Sequence, residues 1–190
     1  MMAAITPTDK PYLKTGVFET WYKRIPWLLL LMISATFTGM IITGFEEALA
    51  SQVILTAFIP MLMDTGGNSG SQASVTVIRG ISLDEIQFKD IFRVIWKEAR
   101  VAFLCGATLA LANFVKLMVF DRVSMEIAMV VCMTLVITVL CAKIIGCVLP
   151  MLAKKIGFDP AVMASPFITT AVDAISLMVY FNIASVVLRL

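Results

Sequence analysis

Asp64, Asn68, Gln72 and Thr76 recur every four residues in the segment IPMLMDTGGNSGSQASVTVIRG, and Ser71 lies close to the same line. A second set, Ser165, Thr169 and Asp173, has the same spacing in DPAVMASPFITTAVDAISLMVYF, and Ser176 and Tyr180 continue roughly along that side. Residues four apart share one face of an α-helix and are separated by about 6 Å along its axis. The side chains are carboxylates, amides and hydroxyls, which are hard oxygen ligands suited to Mg2+, Ca2+ or Mn2+. Neither stripe contains a thiol or a basic residue, so soft metals and anions are poorly matched. Magnesium dehydrates reluctantly, and a wide oxygen-lined cavity would receive it with waters attached. Asp173 would then attract the charge while amides and carbonyls bond the waters. These residue types do not by themselves separate the three cations.

The stripes lie in a strongly apolar chain. Of 190 residues, 60% are hydrophobic and 15% charged, and the mean hydropathy is +0.95. A soluble domain carries about a quarter charged residues, whereas a lipid-facing surface suits this composition. A net charge of +2 is too small to argue for nucleic-acid binding. A spanning helix needs about 20 apolar residues, and five segments qualify: 25–45, 48–78, 101–120, 127–153 and 160–188. The first is longer than the core of a cleavable signal and lacks a persuasive cleavage site after it. The expected class is therefore an all-α integral membrane protein with five transmembrane helices.

A carboxylate inside such a span is expensive without a partner, water or cation. No arginine or histidine near in sequence pairs with Asp64 or Asp173, and Lys116 and Lys143 would reach them only through tertiary contact. Two acid-bearing stripes are better explained by one hydrated cavity than by two exceptions. The plainer alternative is hydrogen bonding between packed helices. Gly66, Gly67 and Gly70 interleave with the first stripe and would admit a close helix or mark a break exposing carbonyls. Pro60 favours distortion there, and Pro166 leaves an upstream carbonyl without its amide donor.

Loop charges orient the spans. With the N-terminus inside, 12 basic residues face inward and only Lys116, Arg122 and Arg189 face outward, so the positive-inside rule places the N-terminus in the cytoplasm and the C-terminus outside. Two stretches read as interfacial helices. Phe88, Ile91, Phe92, Ile95 and Ala99 oppose Lys89, Arg93 and Lys97 within 88–100, and Val17, Phe18, Trp21, Tyr22 and Ile25 form a stripe near the start. Ser82 with Glu85 has the spacing of a capping box. Cys105, Cys132, Cys141 and Cys147, in a chain with no histidine, make neither a zinc pattern nor a disulfide framework and read as small buried hydrophobes. The Gly-Gly pair has no following lysine, so no phosphate-binding loop, nucleotide site or cofactor is expected, and nothing argues for an enzyme.

FIPMLMDTGGNSGSQA, followed by LPMLAKKIGFDPAVMASPFITTAVDAISLMVYF, resembles the transmembrane domain of the MgtE-type magnesium transporters. The likeness runs from about Trp21 onward. It implies a homodimer whose pore lies near the subunit interface, lined by the second and fifth helices. It also implies that Asp173 engages hydrated magnesium, with Thr169 and Ser165 one and two turns earlier and Asn68 on the second helix. Asp64 joins these metal candidates on its position in the stripe. Ser176 stands where many relatives have glycine and Ser165 where some have asparagine, which bears on helix packing and ion hydration.

Typical members also carry a soluble N-terminal region and paired CBS sensor domains, for which residues 1–24 are too few. The expected organisation is a cytoplasmic segment 1–24 and a pore domain 25–190 in a bacterial or archaeal cell membrane, in contact with lipid. The resulting expectation is passive Mg2+ transport driven by gradient and membrane potential. The rival readings are a Na+- or H+-coupled divalent exchanger and a membrane assembly subunit that transports nothing.

Overall fold

The computed structural model describes residues 12–161 and 166–189. Six α-helices follow one another: α1 (Val17–Gly44), α2 (Glu46–Ser51), α3 (Ile59–Ser82), α4 (Ile91–Lys116), α5 (Met125–Lys155) and α6 (Pro166–Leu188). Short 3-10 turns cover Val53–Phe58 and Phe88–Asp90, and α4 ends in a π-type turn, Leu117–Asp121. Among the described residues, four stretches are long and apolar enough to cross a membrane: Val17–Gly44, Phe88–Asp121, Met125–Lys155 and Phe167–Leu188. The second expected span, 48–78, differs. Its first part, 48–58, is taken up by the end of α2 and the 3-10 turn, and the long helix begins at Ile59. The 24 residues of α3 extend about 36 Å, enough to span, but its polar stripe keeps it less apolar than the other four.

The central helix is α5, whose faces meet α3, α4 and α6. Its small and β-branched residues make this possible: Ala128, Val131, Thr134, Thr138, Ala142 and Gly146 are buried along it. Contacts fix the directions. Gly66 approaches Thr138 and Gly70 approaches Ala142, so α3 and α5 run the same way. Gly106 meets Val136, and Cys132 Sγ donates to the Ala110 carbonyl 3.4 Å away, so α4 runs opposite to α5. Trp27 packs edge-on against Phe167 and Phe45 stacks on Phe181, so α1 runs alongside α6. No residue of α1 is buried.

The closest approach is between backbones. A Cβ on Gly146 of α5 would run into the carbonyl of Gly70 on α3. Without a hydrophobic drive between helices in lipid, small residues that allow such contact are a main source of helix adhesion. Of the two roles expected for the α3 glycines, close packing is the one adopted, because α3 is continuous through them. Pro60 sits in the first turn of α3, where its missing amide costs no helical hydrogen bond. Pro166 opens α6, and the carbonyls upstream of it fall in 162–165, outside the described residues.

Two local expectations are corrected. Ser82 is the last residue of α3, and its hydroxyl donates to the Ile78 carbonyl. The chain then turns through Asp84 at φ 56°, and the Glu85 amide donates back to Gly80, so Glu85 closes a helix rather than opening one. The capping box is instead Gln87 with Asp90. The two amphipathic stretches are also not separate helices. Val17–Ile25 is the first part of α1, and most of 88–100 is continuous with α4. Phe88, Ile91 and Ile95 pack beside Val77, Ile81 and Met151, while Phe92 and Trp96 are exposed. Lys155 Nζ lies 4.1 Å from the Phe88 ring centroid, so the end of α5 and the start of α4 meet.

At the opposite end, Tyr180 is fully buried and its hydroxyl donates to the Leu55 carbonyl over 2.9 Å. This bond ties α6 to the 3-10 turn that leads into α3. Tyr180→Phe removes this buried hydrogen bond, which costs about 0.5–1.5 kcal/mol. The expected result is a thermal unfolding midpoint several degrees lower in detergent, with secondary structure by circular dichroism unchanged.

Candidate functional site

The polar stripe of α3 faces outward. Asp64, Asn68, Gln72 and Thr76 are all exposed in the single chain, whereas Leu62, Gly66, Gly70, Ala73 and Val77 are buried. The division follows from helical periodicity, since the small and apolar positions occupy the face turned to α5 and α6. Thr76 donates its hydroxyl to the Gln72 carbonyl and so satisfies itself within the helix.

The stripe opens onto a cavity of about 550 Å3 between α3, α4 and α5. Asp64, Asn68 and Gln72 line it with Thr65 and Ser69, and the far wall is Leu104, Cys105, Thr108, Leu109 and Lys143. Thr108 donates to its own helix at Leu104, leaving its oxygen's acceptor capacity. Lys143 is the residue least expected here. It is only 5% exposed, yet it borders the same space as the α3 stripe. The stripes themselves hold no basic residue, and Lys143 comes to border their cavity by the tertiary contact of α5 with α3. The signal was present in the sequence: Lys143 sits mid-span with no acid one turn away on its own helix. Lys116 does not serve in this way, because it pairs with Asp121 at 2.6 Å near the end of α4.

On α6, Asp173 is half-buried, and it is near enough to Asp64 for the two charges to act on each other. No described basic side chain forms an ion pair with either acid. Thr169 lies against Gly67, where a Cβ would meet its methyl at 3.2 Å. The absence of a side chain at Gly67 therefore lets Thr169 sit directly on the α3 backbone beside Asn68. Asp64, Asn68, Asp173 and Thr169 thus belong to one α3–α6 neighbourhood. Ser165 lies outside the described residues.

The outer continuation of the α6 stripe is corrected. Ser176 is buried, donates to the Val172 carbonyl at 2.6 Å, and packs where a Cβ on Gly66 would lie 3.2 Å from its oxygen. Tyr180 is covered by the turn at Leu55. Both serve the packing of α6 on α3 rather than a solvated face. In the turn before α6, Asp159 accepts from the Ala161 amide at 2.9 Å, which holds its carboxyl below the usual range. The aspartate of the Asp-Pro motif therefore shapes that turn. The four cysteines are free thiols.

The comparisons with known proteins bear on the same helices. A family model described as MgtE, divalent cation transporter, matches residues 59–183, from the first residue of α3 into α6. The chain is similar to the magnesium transporter MgtE of Thermus thermophilus, 32% identical over 188 residues, covering 99% of this chain and 41% of the relative. It is also similar to the magnesium transporter MgtE of Bacillus subtilis, 34% identical over 171 residues and covering 90% of this chain and 38% of that one. The Enterococcus faecalis protein of the same name is 32% identical over 167 residues, covering 88% and 37%. The chain spans about two-fifths of the length of these relatives. With the family model covering α3 through most of α6, and three relatives above 30% identity along nearly the whole chain, this protein belongs to the MgtE family of divalent cation transporters.

Proposed function

We propose that the chain is a five-span subunit of a homodimer that passes hydrated Mg2+ through a path bounded by α3 and α6. The observation that carries this reading is the pairing of an outward-facing stripe with an uncompensated acid. Asp64, Asn68 and Gln72 are exposed on a helix otherwise packed into the bundle, and Asp173 stands beside them with no basic partner. A carboxylate kept in an apolar layer without a counter-charge is suited to a passing cation. The stripe stays exposed although its cavity is walled by α4 and α5, so a second subunit laid over the open side would enclose it. The names of the relatives support magnesium as the cargo. Ca2+ and Mn2+ share the ligand chemistry and are competitors to be measured.

In this reading Asp173 and Asp64 attract the ion, and Asn68, Thr169 and Ser165 bond to its waters. The basic residues at the start of α1 and α4 and the ends of α3 and α5 face the cytoplasm, with the C-terminus outside. Lipid covers the apolar outer surface of α1. No covalent step is required. Moving two charges through 100 mV, negative inside, contributes about 4–5 kcal/mol toward entry.

The test is uptake of Mg2+ by liposomes holding the purified chain, with Na+ and pH equal on both sides and the potential clamped. Uptake is expected to proceed under these conditions and to rise with inside-negative potential. Uptake that needs an opposing Na+ or proton gradient overturns passive permeation and assigns an exchanger instead.

A further inference from the structure

Lys143 is not used by the ion path as described, and its setting calls for a charge. It lies in the middle of α5, a long apolar helix, and is 5% exposed. The ion pairs among the described residues are Lys23–Glu19, Arg93–Asp90 and Lys116–Asp121, none of which includes it. An ammonium held this way is costly unless an opposite charge acts on it. Two acids lie on the helices packed against α5. Asp64 lines the same cavity, together with Asn68, Ser69 and Gln72. Glu98 on α4 is 9% exposed and acts on Cys147, one turn further along α5, but does not border the cavity.

The charge of the layer follows. Asp64 and Asp173 are mutually repelling neighbours, and among the described residues Lys143 is the one cation bordering the cavity with Asp64. With both acids ionised, these three side chains leave one net negative charge per chain. Two chains facing a shared path carry two, equal and opposite to one divalent cation. Without the lysine they would carry four, enough to hold a divalent ion too firmly or to admit a second.

We propose that Lys143 is a tethered counter-cation for Asp64, a positioning residue that sets the charge of the ion path so that it balances a single divalent ion. In the ion-free protein its ammonium offsets the Asp64 carboxylate across the cavity. An arriving Mg2+ competes with that field, so the lysine weakens binding and speeds release. The inference rests on the α3–α6 path proposed above.

The experiment compares Lys143→Met, Lys143→Arg, Asp64→Asn and the Asp64→Asn/Lys143→Met double variant in liposome Mg2+ uptake, reading half-saturating concentration and maximal rate separately. Removing a unit positive charge from the lining of this cavity is expected to lower half-saturation by at least roughly tenfold in Lys143→Met, with a reduced maximal rate. Lys143→Arg keeps the charge and shifts half-saturation much less. The double variant returns half-saturation toward the native value, because the two charges are removed together. An unchanged half-saturation in Lys143→Met, in a protein that assembles and retains its unfolding temperature, overturns the proposal.

If Lys143→Met does not assemble, the comparison of Asp64→Asn with the double variant decides it. Identical half-saturation in those two overturns the lysine's effect on the charge of the path, and tighter binding in the double variant supports it. Asp173→Asn run alongside separates this from failure of the path itself. Lost uptake there with an unmoved Lys143→Met leaves the path standing and removes only the lysine's role.

Discussion

Asp173→Asn is expected to abolish Mg2+ uptake while leaving the fold in place. Asparagine keeps the size and one oxygen of the side chain and removes only the charge. In the proposed path that charge acts on a divalent ion across one layer of water, about 5 Å, where an effective dielectric of roughly 20 makes the interaction worth several kcal/mol. Loss of one such interaction per subunit weakens ion binding by at least about a hundredfold. Asp173 is half-buried and pairs with no described basic residue, so the variant breaks no ion pair and relieves repulsion from Asp64. Its unfolding temperature is expected to stay level or rise. Concentration-dependent uptake, with size-exclusion and thermal unfolding on the same preparation, checks both halves. Native half-saturation in the variant sinks the assignment, and lost assembly favours a structural role for the acid.

The second large effect is on stability. Gly146→Ala places a methyl group against the carbonyl of Gly70. Backbone cannot rotate out of the way as a side chain can, so α3 and α5 must separate. Overpacking usually costs about 1–3 kcal/mol and more where nothing can yield, and this site belongs at the upper end, about 3 kcal/mol or beyond. Gly39 of α1 provides the control, since a Cβ there meets nothing within 4 Å. Gly39→Ala should be neutral or stabilise by up to about 1 kcal/mol through helix propensity. Thermal unfolding of both variants in detergent tests the contrast, and equal midpoints would mean that the α3–α5 contact is not the tight one.

These two sites differ in how far the sequence announces them. Asp173 and the α3 stripe are legible because helical periodicity and the cost of a charge in lipid act locally, along one segment. The grouping of Asp64, Asn68 and Gln72 on one face needs only the four-residue repeat. What that face looks onto does not. Lys143 is 71 residues beyond Gln72 and reaches the cavity only because α5 packs beside α3. Ser176 and Tyr180 were misplaced for the same reason: their register suits the stripe, but Gly66 and Leu55 on other segments cover them. The start of α3 escaped because the apolar run 48–58 carries no charge to show that it folds into a short helix and a turn. Ser82 and Glu85 have capping-box spacing, as do Gln87 and Asp90, and only the turn at Asp84 decides between them.

The touching backbones of Gly70 and Gly146 also have a mechanical consequence. Helices separated by a layer of side chains can slide or roll as rotamers change, whereas two main chains in contact have nothing between them to deform. The α3–α5 pair therefore moves as one stiff unit, and Asp64, Asn68 and Lys143 keep their mutual geometry whenever it moves. Any widening or narrowing of the space beside Asp173 must come from displacement of α6, with its side-chain contacts at Ile168 and Val172, against that unit.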